Sequence, residues 1–397
     1  MKPFSFAELI APVSIRSFFD EYWERRSLHV ERNIQNYYEP ILSLCDLDAH
    51  LQSRQIPAAF VRVVRQGQTI PPADWSVYSD MLFSEPSRIV APNKLFGLLG
   101  DGATIALNQI QQSIYSVDRF CRQLTDELGM RCQVNLYLTP PHNQGPAAHY
   151  DTHDVLILQL SGRKRWRLYG TPFEAPTPAE PFRQDNFTLP APVAQFDLLE
   201  GDALYLPRGL IHGAATTDST SIHLTLGLLP DCWFELMDDL ATILRTDPIL
   251  RRALPHRYST EAETAAAARL FKEKLLSMAE SLDIDGLLET RREAVRDQTA
   301  QVPSPLLNWL SGEQVKPESC LCRRTEVKFK LEPQSTSTVV CAGHQRINIP
   351  EFLRPALEMF TQDRSFIVRE LQGLLSISQK VELASRFVQA GLWEVQR

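Results

Sequence analysis

HYDTHDVLILQLSGRKRWRLYG, residues 149–170, is the most informative stretch of the chain. Its apolar run DVLILQL and its alternating continuation RKRWRLY have the texture of two strands, which this reading joins by a two-residue turn at Ser161-Gly162. His149 and Asp151 are two residues apart, so on extended backbone both side chains leave the same face and converge. The segment GDALYLPRGLIHGA, residues 201–214, supplies a third ligand. There, His212 follows a Gly-Asp turn, a strand and a Pro-Arg-Gly bend that delivers it to the mouth of a barrel. Two imidazoles and one carboxylate on one side of a metal form the facial triad that suits Fe(II) and leaves further positions open.

A His-x-Asp pair alone recurs by chance, and a packed histidine is the commoner explanation of either imidazole. The joint occurrence says more. The Pro/Gly/His-rich loop TPPHNQGPAAH precedes the first two ligands, and a basic residue, Lys164, lies on the strand beyond the turn. His153 competes for the ligand role, but four residues past His149 it is displaced by about 13 Å along an extended strand at ~3.3 Å per residue. His142 in the loop reads as solvent-facing, and His223 inside SIHLTL as packed.

Outward from these segments, residues 58 to about 229 are short apolar runs broken by Pro, Gly, Asn and Asp, such as AAFVRVV, CQVNLYL and SIHLTLGLL. Many short strands at this spacing predict a sandwich or barrel. The residues before them alternate short amphipathic helices with prolines. SVDRFCRQLTDELG is a helical insertion that ends at Gly129, a C-cap.

After Pro230 the pattern turns helical, first over Cys232 to Arg245 and then over Thr260 to about Gln298. The second helix opens on a capping box, Thr260 with Glu263, and carries the stripe Phe271, Leu275, Met278 and Leu282. Either the barrel or a second copy of the chain would cover that stripe. A Pro-rich break precedes a last segment of strands and helices. The expected domains are therefore 1–230, 231–310 and 311–397.

The 397 residues carry 41 Lys+Arg against 48 Asp+Glu, with 44% hydrophobic and 22% charged residues, which is a globular composition and excludes disorder as the main answer. Seven cysteines without a C-x-x-C pair fit a reducing, cytoplasmic setting. No secretory signal and no apolar run long enough to cross a membrane is present. A net charge of -7 argues against wholesale coating of nucleic acid. The candidate recognition helix of the last segment, SQKVELASRFVQAG, has only Lys380 and Arg386 as cations, where a DNA footprint needs a clustered basic face.

These residues carry a resemblance. The runs NLYLTP, HYD…DVLILQLSGRKRW and GDALYLPRGLIHGA, with FFDEYWERRSLHVER near the start, are similar to JmjC-type 2-oxoglutarate oxygenases, and the chain most resembles the ribosomal oxygenases among them. The resemblance implies a mainly β double-stranded β-helix, the cupin/JmjC jelly roll, with a helical N-terminal elaboration, a helical dimerisation region and a C-terminal winged-helix-like α+β module. It implies that His149, Asp151 and His212 bind Fe(II), that Lys164 holds the distal carboxylate of the co-substrate 2-oxoglutarate, and that Tyr137 and Thr225 are its hydroxyl donors. A dianion in a partly dry barrel does need a fixed cation. Lys164 is also opposite in parity to Arg163, Arg165 and Arg167, so it can point inward while they stay wet.

Asn135 matches the position that holds the substrate side chain in the histidine-hydroxylating branch, and Gln109 falls near another pocket position. Gly227 stands where that branch has serine, and Ala106 where it has glutamine. The implied activity is Fe(II)-, O2- and 2-oxoglutarate-dependent hydroxylation of a His or Arg side chain in a ribosomal protein by a homodimer. The alternatives are an oxygenase that tailors a non-ribosomal peptide or protein, and a non-catalytic cupin-like binding or regulatory protein.

Overall fold

Period-two alternation governs the centre of the chain, and in the computed structural model it builds one antiparallel ten-stranded sheet. Residues 4–53, 56–79, 87–183, 187–299, 315–324, 327, 329–342, 345–362 and 364–396 are described. The strands in chain order are β1 (Leu28–Val30), β2 (Val61–Arg65), β3 (Gln68–Thr69), β4 (Ser76–Tyr78), β5 (Arg88–Val90), β6 (Thr104–Leu107), β7 (Arg131–Thr139), β8 (Asp154–Gly170), β9 (Ala194–Leu199), β10 (Ala203–Leu206), β11 (Ile211–Ala215) and β12 (Ser221–Leu229). They run β1-β10-β8-β12-β7-β6-β2-β3, with β9 and β11 also paired to β8, while β4 and β5 pair separately.

β8 is the organising element. The first half of this 17-residue strand pairs with β10 and β12, and the second half with β9 and β11. It thereby passes from one layer to the other. The turn expected at Ser161-Gly162 is absent. Against β12, Ile222 faces Ser161 while His223 faces Gln159, so Leu160 is the extra residue of a β-bulge. Gly162 follows in the left-handed region at φ +66, and a Cβ there would collide with the carbonyl oxygen of Thr220. A glycine in that conformation serves a bulge as well as a turn, and here the chain bends without reversing. Gly162→Ala should lower stability by roughly 2–4 kcal/mol, from backbone strain and the overlap together, and a denaturant titration of the two proteins reads that loss.

Apolar positions on the outer face of the sheet pack under the N-terminal helices. Phe18, fully buried, meets the ring of Tyr205 on β10 at 4.9 Å. A second cluster, with Val155, Ile157, Trp166, Leu168, Leu204 and Leu206, fills the space inside the curve of β8. The helix Tyr115–Leu128 ends at Gly129, which takes φ +65 as its capping role requires.

The helical middle comprises Leu236–Leu244, Glu261–Ser281 and Ile284–Thr299. The single helix expected from Thr260 is broken because Asp283 caps a new one, its side chain accepting from Gly286 N at 2.9 Å. Leu282 therefore sits at the end of the first helix, outside its stripe. The last segment has its own core around Leu321, Phe360, Phe387 and Trp393. Its strands are β13 (Cys320–Arg323), β14 (Lys330–Pro333), β15 (Ser337–Ala342), β16 (Gln345–Pro350), β17 (Phe366–Ile367) and β18 (Trp393–Val395). They form the sheets β14-β15-β16 and β17-β13-β18, with helices Arg354–Thr361 and Ile377–Gln389. The expected boundary at 310/311 lies outside the described residues. Among those residues no helix is long and apolar enough to cross a membrane.

Candidate metal centre and its cavity

His149 lies in the loop before β8 and His212 on β11, and their backbones hold each other. His149 N donates to His212 O at 3.0 Å, and His212 N to His149 O at 2.8 Å. Gly209, in the Pro-Arg-Gly bend, donates its N–H to Asp151 O at 3.0 Å, which locks the bend against the third residue. The ligand atoms of His149, Asp151 and His212 all lie within 4.8 Å of one another. Asp151 Oδ1 is 3.8 Å from His149 Nε2, and Oδ2 is 3.7 Å from His212 Nε2. These gaps are too wide for hydrogen bonds and surround a common point.

The tautomers fit a cation at that point. His149 Nδ1 lies 2.8 Å from Ala147 O, and His212 Nδ1 lies 3.0 Å from Leu210 O. A carbonyl only accepts, so each Nδ1 carries the proton and each Nε2 keeps its lone pair toward Asp151. Burial and the neighbouring His149 push His212 down to about 4. Burial by itself would raise the Asp151 carboxyl, but His212 and His149 hold it below the usual range. Neutral imidazoles beside a carboxylate are the protonation states that metal binding needs.

The triad opens into a small cavity also lined by Lys164, Tyr137, His223, Trp166 and Thr225. Lys164 is 2% exposed, and its Nζ donates to Thr139 Oγ1 at 3.0 Å. Among the described residues it makes no ion pair, and burial lowers its pKa to about 7. The neighbouring arginines point the other way, Arg163 to Asp218, Arg165 to Asp197 and Arg167 to Gln195. Tyr137 stacks on His223, ring centroids 5.1 Å apart and planes 10° from parallel.

Asn135 is paired across the sheet with Thr225 and shares the face of Tyr137, two residues on. Its Oδ1 accepts from Gln109 N at 2.9 Å, because Gln109 adopts the left-handed conformation at φ 52. Neither Asn135 nor Gln109 is among the residues that line the cavity of the triad, and the amide oxygen of Gln109 is taken by Gln112.

His153 is not a member of the triad cluster, yet it is not carried away along a strand either. The chain bends at Thr152 and His153, so the imidazole stays beside the centre, where a Cβ on Gly227 would lie 2.9 Å from its Cδ2. His142 is exposed, as expected, whereas His223 is both packed and part of the cavity wall.

Three contributors escaped the sequence reading. Thr139 and His223 lie two residues from Tyr137 and Thr225, so strand parity alone could have found them. Arg62 is brought in by register. Arg62 on β2, Ala106 on β6, Tyr137 on β7 and His223 on β12 form one continuous rung, and the small Ala106 lets the guanidinium reach the Tyr137 hydroxyl.

Residues 106–236 match the JmjC domain family. The chain is 29% identical over 354 residues to human ribosomal oxygenase 1, covering 81% of this chain and 54% of that protein. It is 30% identical over 261 residues to the bifunctional lysine-specific demethylase and histidyl-hydroxylase NO66 of Drosophila mojavensis, covering 63% and 27%. The chain thus spans about half the length of the human relative, and less of the fly one. The Escherichia coli ribosomal oxygenase YcfD has the same fold, with a TM-score of 0.51 at 16% identity over 97% of this chain and 98% of that one. A further YcfD structure, in complex with cobalt and 2-oxoglutarate, matches with a TM-score of 0.52 at 16% identity, over 97% of this chain and 99% of that one. With the antiparallel jelly roll in place around the triad, the chain carries a JmjC domain over residues 106–236.

Proposed function

We propose that this chain is an Fe(II)- and 2-oxoglutarate-dependent protein hydroxylase. In it His149, Asp151 and His212 hold the iron, Lys164, Tyr137 and Thr225 hold the 2-oxoglutarate, and Asn135 with Gln109 receives the target side chain. The carrying observation is that two imidazoles with tethered Nδ1 atoms and one carboxylate share a cavity with a buried lysine that makes no ion pair among the described residues. Bound iron supplies oxygen activation coupled to oxidative decarboxylation of 2-oxoglutarate to succinate and CO2. The chain's share is to fix the ligands by their backbone tethers, to neutralise the co-substrate with Lys164, and to keep the inner end of the cavity dry.

The target is a histidine of a ribosomal protein. Because the Asn135 oxygen already accepts from the Gln109 N–H, the group it has left to offer a target is its amide NH2, and that group requires an acceptor. A neutral imidazole offers one, and a guanidinium offers none. Arg62 beside Tyr137 further disfavours cationic side chains, methylated lysine included. The ribosomal assignment is drawn from the names of the relatives. Purified protein with Fe(II) and 2-oxoglutarate should release succinate, and mass spectrometry should find one ribosomal protein lacking an oxygen atom on a histidine in cells without this chain. Succinate release with unchanged ribosomal proteins would move the target to another peptide, and no release at all would leave a binding protein.

On the same reading the oxygenase domain spans 1–230, a helical region 231–310 pairs two copies of the chain, and a winged-helix-like module 311–397 engages protein rather than nucleic acid, all in the cytoplasm. The pairing is supported by exposed apolar side chains on the helical region. Phe271 is 51%, Leu276 65%, Met237 61% and Trp233 78% exposed, a concentration that monomers rarely leave to water. Leu275→Glu should split the dimer, since an unpaired carboxylate buried at an interface costs several kcal/mol, while metal binding persists. Sedimentation of the wild type as a 45.1 kDa monomer would remove the pairing.

A further inference from the structure

Lys164 is not the only donor at the inner end of the cavity. His223 is 3% exposed and Trp166 5% exposed, both line the cavity beside Lys164, and among the described residues neither His223 Nδ1 nor Trp166 Nε1 meets a hydrogen-bond partner. Buried polar atoms in folded proteins are normally bonded, so these two nitrogens, closed off from water on residues that line the cavity, each lack the acceptor expected of them. Among the described residues Asp151 is the single acidic one on that wall, and it belongs to the proposed metal triad. The inner end is therefore rich in donors and poor in acceptors, the complement of a carboxylate.

His223 is also held in place. Its ring lies flat on Tyr137 and meets Trp166 edge-on, centroids 5.9 Å apart at 73°. Burial first, and the charge of Lys164 second, keep the ring neutral. A neutral imidazole offers one N–H without adding charge.

We propose that His223 is a binding residue for the same carboxylate that Lys164 holds, donating a ring N–H to that carboxylate, so that a neutral donor and a cation share it. This rests on the 2-oxoglutarate reading above. The full-length protein is loaded with Mn(II) in place of iron and titrated calorimetrically with 2-oxoglutarate, and with 2-oxobutyrate, a keto acid that lacks the distal carboxylate. His223→Phe keeps the ring between Tyr137 and Trp166 and removes both nitrogens. It should weaken 2-oxoglutarate by roughly 10- to 100-fold, the range for a hydrogen bond to a charged group, and leave 2-oxobutyrate unchanged. His223→Asn, which retains an N–H, should recover part of the loss. Wild-type affinity in His223→Phe, or an equal loss for both keto acids, overturns the role of His223. If the wild type fails to bind 2-oxoglutarate, or Lys164→Met binds it normally, the functional reading falls as well. A weak Lys164→Met beside a normal His223→Phe sinks the histidine alone.

Discussion

His212→Ala should abolish metal binding, and with it the succinate formation expected on the proposed reading. The imidazole is 6% exposed, and its Nε2 is one of the three donors that the described residues place around the common point. Asp151 also loses the first of the neighbours that hold its carboxyl ionised. Loss of an outer-shell partner alone typically weakens a metal about 10- to 100-fold, so loss of a ligand should exceed that. The fold should survive, because β11 remains paired with β8 through backbone that the substitution leaves intact. Metal content after dialysis, measured with circular dichroism on the same sample, checks both halves. Full metal retention in His212→Ala, with loss in His153→Ala, would reassign the ligand set.

On the proposed reading, Lys164→Met should produce the opposite pairing, a protein that is more stable and binds 2-oxoglutarate poorly. Truncating one partner of a buried charge pair costs about 2–5 kcal/mol, which is roughly 30- to several-thousand-fold in the 2-oxoglutarate dissociation constant. Stability moves the other way. The lysine is charged below its folded pKa of about 7, against an ordinary value of 10.5. Between these values the unfolded chain binds more protons than the folded one, so wild-type stability rises with pH across that window. The penalty is complete below pH 7 and gone above 10.5. Lys164→Met lacks it, so its melting temperature should exceed that of the wild type at pH 6.5, with the difference shrinking by pH 10. A melting difference that stays constant with pH would place the charge elsewhere.

The parts of the site that were readable in the sequence are those set by short-range parity. His149 and Asp151 two residues apart, and Lys164 out of phase with three arginines, need no knowledge of the fold. His212 needed only the bend that precedes it. What stayed hidden depends on pairing between distant strands. A bulge at Leu160 and a turn at Ser161-Gly162 share the same local signal, and only the partner strand β12 decides between them. Arg62 reaches Tyr137 across a third strand because Ala106 is small, a relation that no local window contains. His223 resembles a core histidine in sequence because it is one, and its second role depends on an empty space beside it. The helix break at Asp283 was legible in principle, since an Asp followed three residues later by Gly is a cap, but the apolar spacing on either side concealed it.

The passage of β8 from one layer to the other has a further consequence. The strand begins three residues after Asp151 and carries Lys164 past its bulge, so a single stiff length of backbone joins the metal end of the cavity to its cationic end. On the proposed reading, that strand acts as a ruler. Keto diacids one methylene shorter or longer than 2-oxoglutarate would meet only one end of it, and the bulge at Leu160 is where a different ruler could be cut.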